Sequence, residues 1–354
     1  MNLSFAPTVG FALLSILLVA CDSDTNNNPQ QVADVMPVND EVVVYSARKE
    51  HLIKPLFDRY TEATGVAIRY VTDSAGPLLA RLVAEGEQSP ADLLMTVDAG
   101  NLWQAAEQGV LRVVDSELLT SNVPANLRDS QNRWFGLSIR ARTIVYASDR
   151  VKPAQLSSYE ALGDEAWHGR LCLRTAKKVY NQSLVATLIA AHGEQKAEQL
   201  VARWVNNLAL PPFSNDTKVM EAILANQCDV GLVNTYYFGR LKNKKPDAAL
   251  AIFWPNQTGE GIDGRGVHIN ISGAGVTRAA GNAEGAQALL EWLASEQAQQ
   301  IFASLNQELP VLSTVPASAE VQSWGEFKAD DINVAEAGRR QADAIKLMDR
   351  AGYH

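Results

Sequence analysis

Residues 234–240 read NTYYFGR, directly after the apolar run DVGLV, and Tyr180 opens a second apolar stretch, YNQSLVATLIAA. Phenols ionise only near pH 10, so a cluster of them gains chemical use beside a strong Lewis acid. Ferric iron is such a cation, hard, trivalent and suited to anionic oxygen. Zinc or copper sites would show His or Cys instead, and calcium would show a run of Asp, Glu and carbonyl donors. Neighbouring side chains on a strand face opposite ways, so Tyr236 and Tyr237 converge only from another backbone form. In the first turn of a helix they stand about 100° apart. Thr235 is a suitable N-cap for a helix beginning at Tyr236. On residue chemistry alone, packing is the commoner role for paired tyrosines, and both readings stay open here.

These residues need elements that bring strand ends together. EVVVYSA (41–47), VAIRYVT (66–72) and ADLLMTVD (91–98) read as strands. HLIKPLFDRYTEATG and PLLARLVAEGEQ between them carry apolar residues at helical spacing, with Gly65 as a C-cap. This β-α-β-α-β order predicts a parallel sheet with right-handed crossovers. The second half repeats the alternation: RLCLRT as strand, QSLVATLIAAHG, KAEQLVARWVNNLA and KVMEAILANQ as helices, DVGLV as strand. WFGLSIRARTIVYASDR is a longer β-rich stretch able to run between two domains. HINISGAGVTRAA then reads as a strand and AEGAQALLEWLASEQAQQIFASL as one long helix. The expected architecture is α/β, two lobes joined by crossing strands around a cleft, with chemistry at the strand-to-helix junctions. VYSARKEH, TVDAGN, TAKKVYNQ and NTYYF all lie at such junctions.

The chain has 354 residues, 47% hydrophobic and 20% charged, enough for one or two globular domains with large cores. A formal net charge of −9 argues weakly against nucleic acid as a partner. FALLSILLVAC is an apolar run of signal-peptide length, and Leu18-Val19-Ala20-Cys21 resembles a bacterial lipobox. The reading is a lipoprotein signal peptide over 1–20, lipidation at Cys21 and a polar tether over 21–40, with ordinary secretion as the alternative. Asp22 resembles an inner-membrane retention signal. Cys172 and Cys228 flank strand-like runs, and in an oxidising compartment they form either a disulfide or two buried thiols.

Six stretches in order, VYSAR, SPADLLMTVD, WFGLSIRARTIVY, VYNQSLVATLI, NTYYFGRL and HINISGAGV, resemble the periplasmic ferric-iron-binding proteins of ABC importers. The likeness runs from about Glu41 to the C-terminus. It implies a type II periplasmic substrate-binding protein, a monomer, each lobe a mostly parallel sheet flanked by helices, with hinge strands and a central cleft. The lobes are expected at 41–140 with 267–316 and at 141–266 with 317–354. The family implies Fe(III) capture and delivery to a membrane permease and its ATPase, and no enzymatic activity. The resemblance places Tyr180, Tyr236 and Tyr237 as metal ligands.

Common family members add a first-lobe His four positions after the tyrosine of VYSAR. Lys49 stands there in this chain, and His51 lies two residues on. A family branch lacking that His holds metal with three tyrosines and an exogenous anion such as carbonate, which its opening arginine contacts. That makes Arg48 the first anion candidate here. The start of the helix after Tyr180, with Asn181 and Ser183, is a further anion site. Arg140 and Arg142 stand two apart in SIRART; one of them is expected to face the cleft, with Arg140 favoured. Salt bridges are the alternative for Arg48 and Arg140. Asp98 falls where some members use a ligating glutamate, although capping the next helix is its expected role, and His51 is a minor ligand candidate. His168, His192, His268 and His354 show no metal-type spacing. The rival reading is a binding protein of the same architecture for a phosphonate, polyamine or sugar. No nucleophile elbow, P-loop or HExxH motif supports an enzyme.

Overall fold

The structure is a computed structural model and describes residues 41–259, 261 and 263–354. The expected signal peptide, the tether and Cys21 lie outside the described residues. Among the described residues no helix is long and apolar enough to cross a membrane.

The chain opens as expected, with β1 (Glu41–Ser46), α1 (Glu50–Thr64), β2 (Ala67–Thr72), α2 (Ala75–Glu85), β3 (Leu93–Val97) and α3 (Ala99–Glu107). β1 pairs in parallel with β2 and β3, the register running Glu41 to Ala67 and Val44 to Leu93. Gly65 closes α1 at φ 78°, donating to the carbonyl of Thr61, as its sequence position predicts. After α4 (Glu117–Asn122) comes β4 (Phe135–Ala147), whose 13 residues are almost all buried. Next come β5 (Leu171–Cys172), α5 (Val179–His192), α6 (Glu194–Asn206), α7 (Asp216–Leu224), β6 (Val230–Asn234), α8 (Thr235–Lys244) and β7 (Leu250–Phe253). The C-terminal portion holds β8 (Ile269–Val276), α9 (Ala283–Leu293), α10 (Glu296–Asn306), β9 (Leu309–Pro310), α11 (Ala319–Ser323), α12 (Glu336–Arg339) and α13 (Gln341–Arg350).

β4 does the joining. Its first half pairs antiparallel with β8, from Phe135–Ala274 to Ala141–Ile269. Its second half pairs antiparallel with β6, from Arg142–Asn234 to Tyr146–Val230. The sheet order is therefore β2-β1-β3-β8-β4-β6-β5, with antiparallel ladders at β3–β8, β4–β8 and β4–β6 inside an otherwise parallel pattern. Ala141 belongs to one hydrophobic core, with β1, β3, β8 and α9. Ile144, three residues on, belongs to a second, with α5 and α6. The smaller core around Val145, Val219 and Val233 lies on the same side of that crossing.

Three expectations need correction. The run 283–305 is two helices, because Ser295 breaks it and caps α10 by accepting from the Ala298 N–H. RLCLRT keeps only Leu171 and Cys172 as strand. Phe327, Ala329, Val334 and Ala335, expected in the second lobe, pack on the first core, while Ala344, Leu347 and Met348 pack on the second. Apolar periodicity cannot choose between two cores when both are available.

Candidate metal and anion site

β6 is fully buried and delivers the chain to Asn234, which is still extended. α8 starts at Thr235, one residue earlier than expected, so Asn234 rather than Thr235 holds the N-cap position. The Thr235 hydroxyl is buried and has no hydrogen-bond partner among the described residues. Tyr236 and Tyr237 then occupy the first turn, their ring centroids 4.6 Å apart and inclined by 34°. Tyr180 is the second residue of α5. All three phenols thus sit at helix N-termini, where the backbone dipole favours negative charge.

They line one cleft of about 170 Å³. From the first core side come Ala47, Arg48, Lys49, Leu52 and Val97; Arg140 comes from β4; Arg240, Asn306 and Glu308 complete the wall. Burial pushes the Tyr236 phenol well above its ordinary value, and Tyr180 and Tyr237 add to this while Arg140 opposes it. Tyr237 is also raised, by burial first and then by Tyr180 and Asp216, against the pull of Arg174. Tyr236 and Tyr237 are therefore neutral phenols near pH 7 until a cation compensates them.

Arg48 faces the cleft but its fork is engaged. Nη2 donates to Glu308 Oε2 at 3.0 Å, and Nη1 donates to Ser138 at 3.3 Å and to Ser272. Its Nε, although buried, has no partner among the described residues. Arg140 Nη1 donates to Ser272 at 3.1 Å, and its buried Nη2 is also unpartnered among the described residues. Burial alone would raise the Glu308 carboxyl, yet Arg48 and Arg140 hold it below the usual range. Sequence reasoning missed Glu308, which sits in NQELP without any motif around it.

Arg142 points the other way. Its guanidinium donates to Asn181 at 2.7 Å, Asp216 at 3.1 Å, Asn234 at 2.9 Å and the Leu232 carbonyl at 3.0 Å. Arg174 reaches the same Asp216 at 3.0 Å and lies 4.9 Å from the Tyr180 ring centre. Asp216 also accepts from the Asn234 backbone N–H at 2.9 Å. One buried carboxylate between two arginines therefore underlies the tyrosine-bearing helix starts. Nothing in SNDTK singled it out.

The remaining candidates are not brought to the cleft. Asn181 is occupied by Arg142, the Arg174 carbonyl and Tyr353, and Ser183 donates to Asp98. Neither side chain lines the cleft, because both are engaged by these partners. Asp98 caps α3 through the Gly100 N–H at 2.9 Å and is fully buried, its carboxylate also taken up by Ser183 Oγ and Asn270 Nδ2. His51 is exposed on α1 and stays outside the lining, whereas Lys49 joins it. His168 is exposed, His192 meets Glu160 at 2.8 Å, His268 meets Thr187 at 3.2 Å, and His354 lies at the surface 3.6 Å from Asp349. Cys172 and Cys228 are disulfide-bonded, their Cα atoms 6.0 Å apart. No group of three or more His, Cys, Asp and Glu side chains suited to a metal occurs among the described residues.

Residues 55–329 match the family model of bacterial extracellular solute-binding proteins, and the chain belongs to that family. Its fold is the two-lobed type II architecture shared with solved periplasmic binding proteins. Iron uptake protein A1 of Synechocystis sp. is 40% identical over 356 residues, covering 99% of this chain and 96% of that protein. The structure of Trichodesmium IdiA (FutA) in complex with iron and citrate is 43% identical, with a TM-score of 0.84 over 89% of this chain and 100% of that one. Apo FutA2 from Synechocystis PCC6803 is 39% identical, with the same TM-score over the same shares.

Proposed function

We propose that this protein captures ferric iron in the cleft and delivers it to an ABC permease for uptake. The observation that carries the reading is the convergence of Tyr180, Tyr236 and Tyr237 on one cleft wall. Three phenolates neutralise Fe(III) and leave coordination positions free. An exogenous anion, carbonate in the simplest case, fills them and meets the unpartnered guanidinium nitrogens of Arg48 and Arg140. The relatives' names as iron uptake proteins and the iron and citrate complex support this reading. Ligands bind as anions, so loading expels phenol protons, and release follows lobe opening or reprotonation.

We further propose that 41–140 and 267–316 make the bulk of the first lobe, and that 141–266 with α13 makes the second. Export, an inner-membrane lipid anchor at Cys21 and a monomeric state complete the reading. The rival is an anionic organic solute such as a phosphonate, which Arg48, Lys49, Arg140 and Arg240 would also suit. A polyamine is disfavoured by the same four cations. The deciding experiment is a visible spectrum of the chain from residue 22 onward with Fe(III) and bicarbonate. A broad phenolate-to-iron charge-transfer band, lost in Tyr236→Phe and Tyr237→Phe, is expected. Absence of a band with bicarbonate or citrate would sink the iron reading and favour the organic anion.

A further inference from the structure

We infer that the hydrogen bond between Ser183 and Asp98 is a latch between the two lobes that also positions Tyr180. Asp98 follows β3 at φ 75°, a left-handed backbone that few side chains adopt, and is fully buried. Its carboxylate accepts from the Gly100 N–H, from Asn270 Nδ2 on β8 at 2.8 Å, and from Ser183 Oγ at 2.9 and 2.8 Å. The first two donors belong to the first core side, since α3 buries Leu102 and Ala105 there. Ser183 belongs to α5, whose Leu184, Val185 and Leu188 lie in the second core. The bond therefore ties the two cores together.

A buried carboxylate demands donors, and Asp98 forms no salt bridge among the described residues. Separation of the lobes would remove Ser183 and leave water to replace it, so the contact resists opening. Ser183 follows Tyr180 by three residues, one turn along the same face of α5. Asp98 thereby fixes the helix start that carries the phenol, as a positioning residue acting through Ser183. A second tie lies beside it: Gln104 donates to Gln341, which donates to Gln182 Oε1 at 3.1 Å. The backbones of α3 and α12 meet where Gly100 faces Gly338, and a Cβ on Gly338 would lie 3.0 Å from the Gly100 Cα.

The latch rests on the iron reading only for its consequence, so the test has two arms. Ser183→Ala removes the hydroxyl while leaving Asp98 its cap and Asn270. By small-angle scattering the metal-free variant is expected to have a larger radius of gyration than the unmodified chain. Iron release to excess chelator should then be about tenfold faster, the effect of one buried hydrogen bond. The charge-transfer maximum at saturation should not move. Asp98→Asn, which retains the shape but weakens the acceptor, should fall between. Identical scattering for both variants, with an unchanged thermal midpoint, would overturn the latch. If the unmodified chain forms no coloured iron complex, the iron reading fails, and the scattering arm still decides the latch.

Discussion

Replacing Asp216 by alanine is the sharpest test of how the tyrosine platform is held. The carboxylate is wholly buried and accepts from Arg142 at 3.1 Å, from Arg174 at 3.0 Å and from the Asn234 N–H at 2.9 Å. Both arginines are themselves buried, so removing Asp216 strands two guanidinium groups out of reach of water. Breaking a buried pair by deleting one partner destabilises proteins by about 3–5 kcal/mol, because the orphaned charge has no compensation. Two cations depend on this one anion, so the upper part of that range is expected. Arg142 also holds Asn181 and Asn234, which adjoin Tyr180 and the start of α8. The phenols should lose their common placement along with stability. The assay is urea denaturation of the metal-free protein, followed by tryptophan fluorescence and far-ultraviolet circular dichroism, then iron titration of the folded fraction. Asp58→Ala, which removes an exposed partner of Lys54, serves as control and should leave the midpoint in place. A loss below about 1 kcal/mol for Asp216→Ala would refute the argument, since it would mean the arginines find other compensation.

Three further outcomes follow from the same structure. His268 is held neutral, its ring pushed down to about 3 by burial and then by Arg265, Arg142 and Arg140. The unfolded chain binds a proton below about pH 6.5 and the folded chain does not until about pH 3. Stability therefore falls with acidification across that window, by about 1.4 kcal/mol per pH unit, and His268→Gln should flatten the slope of denaturation midpoint against pH. An equal slope in the variant would show that other groups dominate. Iron loading should release at least two protons near neutral pH, since Tyr236 and Tyr237 are raised and must ionise to bind. Calorimetry in buffers of different ionisation enthalpy counts them, loading should weaken as pH falls, and zero protons would contradict phenolate ligation. Reduction of Cys172–Cys228, which spans 56 residues, should lower stability by about 2–4 kcal/mol, measured by denaturation with and without reductant. No change would mean that packing around β5 alone fixes that register.

The sequence by itself determined the local order and the chemical candidates. Alternating strands and amphipathic helices from Glu41 onward specify the parallel β1–β3 unit, because side-chain period and cap residues are local properties. The tyrosine pair was legible because its neighbours mark a strand end followed by a helix, and the order of six motifs marked the family. What only the tertiary structure decided is which polar groups meet. Arg140 and Arg142 are two residues apart on one strand, yet one lines the cleft and the other sinks into the Asp216 network. Strand alternation cannot separate them, because residues i and i+2 share a nominal face until the strand crosses from one core to the next. Glu308 and Asp216 carry no motif, since their partners lie 260 and 74 residues away along the chain, at Arg48 and Arg142. Asn181 and Ser183 were chosen for their place at a helix start. Their fate was set by the partners that packing brought against α5, Arg142 for Asn181 and Asp98 for Ser183, and that is a property of tertiary structure rather than of sequence.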